Sequence, residues 1–278
     1  MAAVGFSRAE SFKPHDPEND LVTIQYEHYF GTPFVADSIH APSAFPAWWL
    51  YATLPGFRIF SKKVFWAVEL DGMVRDIREG NASLSDSPFQ RYGLFAGVTL
   101  IEQSGHTGSF LAGAGVAGEL PRPGLADRYV HLIYEHRYRL SRDLTVGLGI
   151  LAMNNFGEWQ VPFNLLPYLS WHISNRQRFR IAWDVLEFKQ FFTERISASA
   201  EVRYDMSFFR IDSRASYELA TVAVGGGPDI WLFRHCYLRL RYKELLYRGE
   251  NVTLSGNAVH ESGRQRGRSL KVQIVYGK

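Results

Sequence analysis

The chain has 278 residues, a net charge of +3, 15% aromatic residues, 24 glycines and one cysteine. So weak a charge excludes the broad basic footprint of a nucleic-acid binder. The lone Cys236 excludes an intrachain disulfide and a thiolate metal cluster, and no run reaches the ~18 consecutive apolar residues of a membrane helix.

Residues 1–19 are polar, hold Pro14 and Pro17 and read as a flexible tail. They lack a signal-peptide core of ~7–15 apolar residues, so the expectation for an exported chain is that a leader has been removed. From residue 20 the pattern changes to alternation with a period of two. "VTIQYEHYF" sets Val22, Ile24 and Tyr26 against Thr23, Gln25 and Glu27. "AFPAWWLYATLPGF" (44–57) is ambiguous between strand, loop plug and interfacial segment. "VFWAVELDG", "RYGLFAGVTLIE" and "SFLAGAGVAG" then alternate in turn. "YVHLIYEHRYRL" places Tyr134, Tyr138 and Leu140 opposite Glu135, Arg137 and Arg139, and "LTVGLGIL" follows after the tight turn "SRD". "LLPYLSWHIS" and "RFRIAWDV" come next. "RISASAEVRYDMSFF" is the longest clean case, with Ile196, Val202 and Tyr204 facing one way and Glu201, Arg203 and Asp205 the other. "SYELATVAVGGGPDIWLF" is interrupted by Gly225 to Gly227 and Pro228, which marks a bend or a close approach. "CYLRLRYKELLY" and "SLKVQIVYGK" close the chain.

Such segments are longer than ordinary globular strands of ~5–6 residues, and a tilted strand needs ~9–11 residues to cross a bilayer. Short turns alternate with long loops, and the apolar set repeatedly ends in Tyr, Trp or Phe, as the aromatic girdles of a membrane barrel do. A soluble sandwich accounts for the alternation but not for the strand lengths. The fold class read from the sequence is all-β: residues 20–278 as one transmembrane antiparallel up-and-down β-barrel of about 12 strands. The range is 10 to 14, because 44–57 and 185–192 parse either way.

Parity then assigns faces. Trp171, Trp183, Val202, Tyr204, Leu238, Leu240 and Tyr242 fall on the lipid side. Glu135, Arg137, Arg139, Arg178, Arg180, Asp184, Arg195, Glu201, Arg203, Asp205, Arg239, Arg241 and Lys243 line the lumen. An interior carrying both signs is either a salt-bridged lining or a selectivity ladder for a small solute, anionic by its excess of Arg and Lys.

The stretch "LLPYLSWHISNRQRFRIAWDVLEFKQFFTERISASAEV" and the later "VGGGPDIWLFRHCYLRLRYKELLY" resemble an uncharacterised bacterial outer-membrane β-barrel domain family over residues 164–278. The chain departs from the family's pattern in having Val185 and Leu186 where Pro is frequent, and in ending "VYGK" rather than on an aromatic residue. The resemblance implies the fold and an outer-membrane location, and no activity. Separately, "HISN" resembles the His-x-Ser-Asn element of the outer-membrane lipid A deacylase, which implies His172 and Ser174 as a dyad with Glu187 as the nearest carboxylate. Unbroken parity puts Val185 and Glu187 on the lipid side, with Phe179 and Ile181, and Glu187 away from His172.

The functional expectation is a narrow, charged-lumen, porin-like channel for small solutes in a Gram-negative outer membrane, and not an enzyme. A structural barrel serving as scaffold or subunit of a membrane complex is the first alternative, and a lipid A hydrolase the second. Outer-membrane lipids and lipopolysaccharide are the expected partners, with no nucleic acid. No cofactor is expected, and no metal, since the histidines lack liganding spacings.

Overall fold

The computed structural model describes the backbone from residue 20 to residue 277, apart from 31–38, 41–43, 55–57, 60–61, 76–77, 80–81, 84–88, 103, 120–127, 156–157, 183, 211–214, 234–235, 255–256 and 263–266. The expected tail of 1–19 lies outside the described residues. Side chains are described mainly within 90–118, 128–155, 165–204, 220–247 and 267–276.

Every described regular element is a strand. In chain order they are β1 (Asp20–Phe30), β2 (Ile39–His40), β3 (Ala44–Leu54), β4 (Arg58–Ile59), β5 (Lys62–Arg75), β6 (Arg78–Glu79) and β7 (Ala82–Ser83). Then come β8 (Phe89–Ile101), β9 (Thr107–Glu119), β10 (Arg128–Arg139), β11 (Leu144–Asn155), β12 (Glu158–Ser174), β13 (Gln177–Ala182) and β14 (Val185–Phe191). The last are β15 (Ile196–Arg210), β16 (Ala215–Phe233), β17 (Cys236–Leu254), β18 (Asn257–Ser262) and β19 (Gly267–Gly277).

The ladders form a circuit. Neighbours pair antiparallel from β1 through β3, β5 and β8 to β17. β17 then pairs with β19, and β19 returns to β1, with Ile24 opposite Ile274. Of the nineteen described strands, β2, β6 and β7 make a separate small sheet, while β4 and β18 are flaps on β5 and β17, which leaves fourteen in the circuit. Both segments that parse ambiguously in the sequence, at 44 and at 185, are strands, so the count falls at the top of the expected range.

Exposure alternates as a membrane barrel requires. Leu94, Phe110, Tyr134, Tyr138, Leu148, Trp171, Val202, Tyr204, Tyr242, Ile274 and Tyr276 all project outward and exposed, which would be an aggregation surface in water and is a matched surface in hydrocarbon. The circuit also pairs, along its described ladders, main-chain groups that lipid cannot solvate, the upper edges of β12 and β15 excepted.

Two of the irregularities in the described wall bear on how residues face. Opposite Leu151 and Met153, β12 carries extra residues between Gln160 and Asn164, and Pro162, which has no N–H to give the ladder, falls inside that bulge. The second irregularity is the reversal between the short strands β13 and β14, where Ala182 pairs with Val185 and Asp184 lies in the turn. A reversal of this kind restarts the alternation. Val185 and Glu187 therefore face inward and are buried, while Leu186 and Phe188 face out. This corrects the lipid-side reading of Glu187 and Val185: parity does not carry through a turn.

Candidate functional site

The inner face is built in rows across adjacent strands. One row runs Arg180, Glu187, Glu201, Gly225, Lys243 and Ser269 from β13 to β19. The row beneath it runs His172, Arg178, Lys189, Ser199 and Gly227 from β12 to β16. A third contains Phe191, Ser197, Asp229, Arg239 and Gln273.

Glu187 and Glu201 stand directly opposite each other, an unfavourable pairing of like charges. Cations on both sides offset it. Arg178 donates to Glu187 at 3.0 Å, with Arg180 at 3.5 Å. Glu201 is held by Arg203 and by Arg241, each at 3.6 Å, and Lys243 and Lys271 act on it as well. Asp229 joins Lys189 at 2.6 Å, Arg241 at 2.7 Å and Arg239 at 3.4 Å. Four described acids (Asp184, Glu187, Glu201 and Asp229) thus face eight cations on these strands (Arg178, Arg180, Lys189, Arg203, Arg239, Arg241, Lys243 and Lys271).

The glycine stretch makes this network possible. Arg241 is only 1% exposed, and its Nη1 donates to the carbonyls of Gly227, Pro228 and Leu240 at 3.1, 3.3 and 2.9 Å. A Cβ on Gly227, whose φ is +154°, would lie 2.2 Å from the Leu240 carbonyl oxygen, so only glycine lets β16 approach β17 closely there. Toward the short-turn rim, Trp231 stacks on Tyr237 with centroids 6.3 Å apart, and Arg239 lies over the Tyr237 ring. These rings cover the Asp229 pairs. The small cleft beside them, between Lys189, Phe191 and Tyr237, holds little more than a water molecule.

On the other arc the inner wall is wetter. Arg137 grips Glu135 through two hydrogen bonds, 2.5 and 2.9 Å, and lies over the Tyr168 ring at 3.9 Å. Asp184 accepts from Arg203 at 2.5 Å. Phe95 and Tyr129 lie over Gly113 and Gly115, where any Cβ would collide with the rings, and Tyr129 contacts the His131 ring. In three pairs the guanidinium is the more exposed partner, one on β10 and two at the β13–β15 edge of the network: Arg137 36% against Glu135 22%, Arg180 28% against Glu187 4%, and Arg203 25% against Glu201 4%.

Most expected lumen residues face inward: Glu135, Arg137, Arg178, Arg180, Asp184, Glu201, Arg203, Arg239, Arg241 and Lys243. Two do not line the bore. Arg139 is exposed at the rim and caps the carbonyls of Ser141 and Arg142. Arg195 is exposed in the turn between β14 and β15, where the strand pattern has ended. The Asp205 and Trp183 side chains lie outside the described residues. Of the lipid-side set, Trp171, Val202, Tyr204 and Tyr242 are exposed and outward, while Leu238 and Leu240 are partly exposed. Lys189 and Asp229 are central to the network and were not singled out in the sequence. The signal for Lys189 was Glu187 and Lys189 sharing one alternate set, which marks a restarted phase.

The deacylase-like residues do not assemble. His172 is exposed and opposite Arg178. Ser174 sits at the turn, where its Oγ accepts from the Arg176 amide at 3.2 Å. Glu187 is committed to Arg178 and Arg180, and among the described residues no hydrogen bond links these three side chains to one another.

No protein-family model matches the chain, and no curated protein matches it. Among solved structures it is similar to the KdgM porin, with 10% identity and a TM-score of 0.34 over 92% of this chain and 99% of that one. The KdgM porin in complex with disordered oligogalacturonate gives 11% identity and a TM-score of 0.33, over 92% of this chain and 99% of that one. The beta domain of the Bordetella autotransporter BrkA gives 10% and 0.34, covering 94% of this chain and all of that one. The assignment as a barrel rests on the chain's own ladders and outward apolar surface.

Proposed function

We propose that this barrel resides in a bacterial outer membrane and works as a narrow channel for small anionic solutes. The observation that carries the reading is the division of the inner face. The network buries Lys189, Arg241 and Asp229, while the guanidinium groups of Arg180 and Arg203 at its β13–β15 edge, and of Arg137 on β10, stay partly water-accessible with their acids deeper. A passing anion meets the cationic member of each pair first, and low-dielectric walls strengthen that preference. The buried network holds the wall that keeps these groups in register.

A second reading follows from how completely the β15–β19 arc is filled, with Ser269 and Val275 at 0% exposure. That filling favours a barrel with a shut lumen, serving as a scaffold for partners. Vesicles containing the refolded protein and a chloride-quenched dye separate the two. Chloride uptake that falls when Arg180 and Arg203 are both changed to Gln supports the channel. No uptake by protein shown to be inserted would leave the scaffold.

A further inference from the structure

The barrel wall has a low place. β13 has six residues and β14 seven, between β12 with seventeen and β15 with fifteen. Six residues rise about 20 Å along a strand and about 15 Å in height at a tilt near 40°, short of the apolar band of about 25 Å. β12 pairs with β13 only from Leu169 to Ser174, and β14 pairs with β15 only from Ser197 to Arg203. Above the hairpin, the facing edges of β12 and β15 pair with no strand across the gap among the described residues.

The end of β15 also leaves this wall. Arg210 makes a parallel bridge with Gly118 of β9, a strand nearly opposite in the circuit. The bridge joins the long-loop ends of β15 and β9 across the circuit. At that level the described ladders place no strand between β12 and β15.

The edges say what fits there. The His172 amide donates to the Asp143 carbonyl just before β11. Main-chain groups alternate sides, so those of Pro167 point away from β11 and into the gap, where proline offers no N–H. That blunts the β12 edge against an added strand. Outside, the gap is flanked by exposed Leu165, Leu186 and Tyr204. Inside stand Arg180 and Arg203, each more exposed than its acid. Hydrocarbon suits the outer flank and an anionic group the inner one.

We propose that the low wall over the β13–β14 hairpin is a lateral portal, through which a single-chain amphiphile with an anionic head moves between lumen and bilayer. It rests on the membrane-spanning reading and goes beyond small-ion conduction.

The test uses the full chain, with Cys236→Ser, in phosphatidylcholine vesicles. An environment-sensitive fluorophore is placed at Ser170→Cys, on the inner face beside the gap, or at Gln273→Cys, buried on the far arc. The probe is a twelve-carbon alkyl phosphate brominated near its chain end. Saturable quenching at residue 170, several-fold weaker at 273, supports the portal. So does loss of quenching when β13 and β14 are each lengthened by four alternating Thr and Val residues, with chloride uptake retained in the same vesicles. Should lengthening prevent folding, Arg180→Gln with Arg203→Gln must weaken the half-saturation several-fold. Equal quenching at both labels, indifference to both changes, or the same quenching by brominated phosphatidylcholine would overturn the portal. Loss of chloride uptake with quenching intact would instead remove the channel reading and leave the portal standing.

Discussion

Arg241 donates from Nη1 to the carbonyl of Gly227, 3.1 Å away on the neighbouring strand, at a point where a Cβ on Gly227 could not fit. A fully buried guanidinium and a residue with no side chain therefore occupy one place in the barrel, and each explains the other. Changing Gly227 to Ala should destabilise the inserted barrel by roughly 1–3 kcal/mol. Gly108→Ala should stay within about 0.5 kcal/mol, because its nearest new neighbour is the His136 ring at 3.5 Å. Urea unfolding in micelles compares the two directly.

Removing Arg241 leaves Glu201 and Asp229 short of a partner inside a dry wall. Breaking a buried pair from one side typically costs about 3–5 kcal/mol. Arg241→Met should lose that much in the same unfolding measurement. Arg241→Met combined with Asp229→Asn should recover part of it, since the uncompensated acid is gone. If the double variant were no better than the single one, the network would not be the source of the loss.

The restarted phase in β14 makes neighbouring residues behave oppositely. Leu186 faces lipid, and an Arg there should destabilise the inserted barrel by about 2–4 kcal/mol if it lies near the midplane. Lys189, three residues on, is inward and paired with Asp229, so Lys189→Arg should be nearly neutral. Folding yield into vesicles, read by the shift in electrophoretic mobility of unheated protein, checks both.

At the water-accessible arc the effects should be functional more than structural. Arg137→Gln should lower chloride uptake while changing stability little, because the Arg137–Glu135 pair is partly exposed and pairs of that kind contribute about 0–1 kcal/mol. Uptake unchanged with the barrel intact would remove Arg137 from the route.

The barrel is legible in the sequence because lipid imposes a period of two with few exceptions, as along Ile196 to Tyr204. Inner and outer sets of the long strands follow from counting alone. Counting fails where the chain turns inside the wall. "AWDVLE" holds no Gly or Pro to mark a hairpin, so the sequence carries Val185 and Glu187 to the wrong face, and the ion pairs of Glu187 and Lys189 vanish with them. The low wall is illegible for the same reason: nothing local says that β13 ends after six residues. Asp229 is hidden differently, since Gly225 to Pro228 break the alternation just before it, and only the pairing of β16 with β17 shows it facing inward opposite Arg239.

The most direct test of the account is the reversal potential of single channels in a planar bilayer under a potassium chloride gradient. Discrete steps with a reversal potential displaced toward that of chloride, and less displaced when Arg180 and Arg203 are both changed to Gln, are the predicted result. A displacement toward potassium, or silence from protein shown to be inserted, would contradict it.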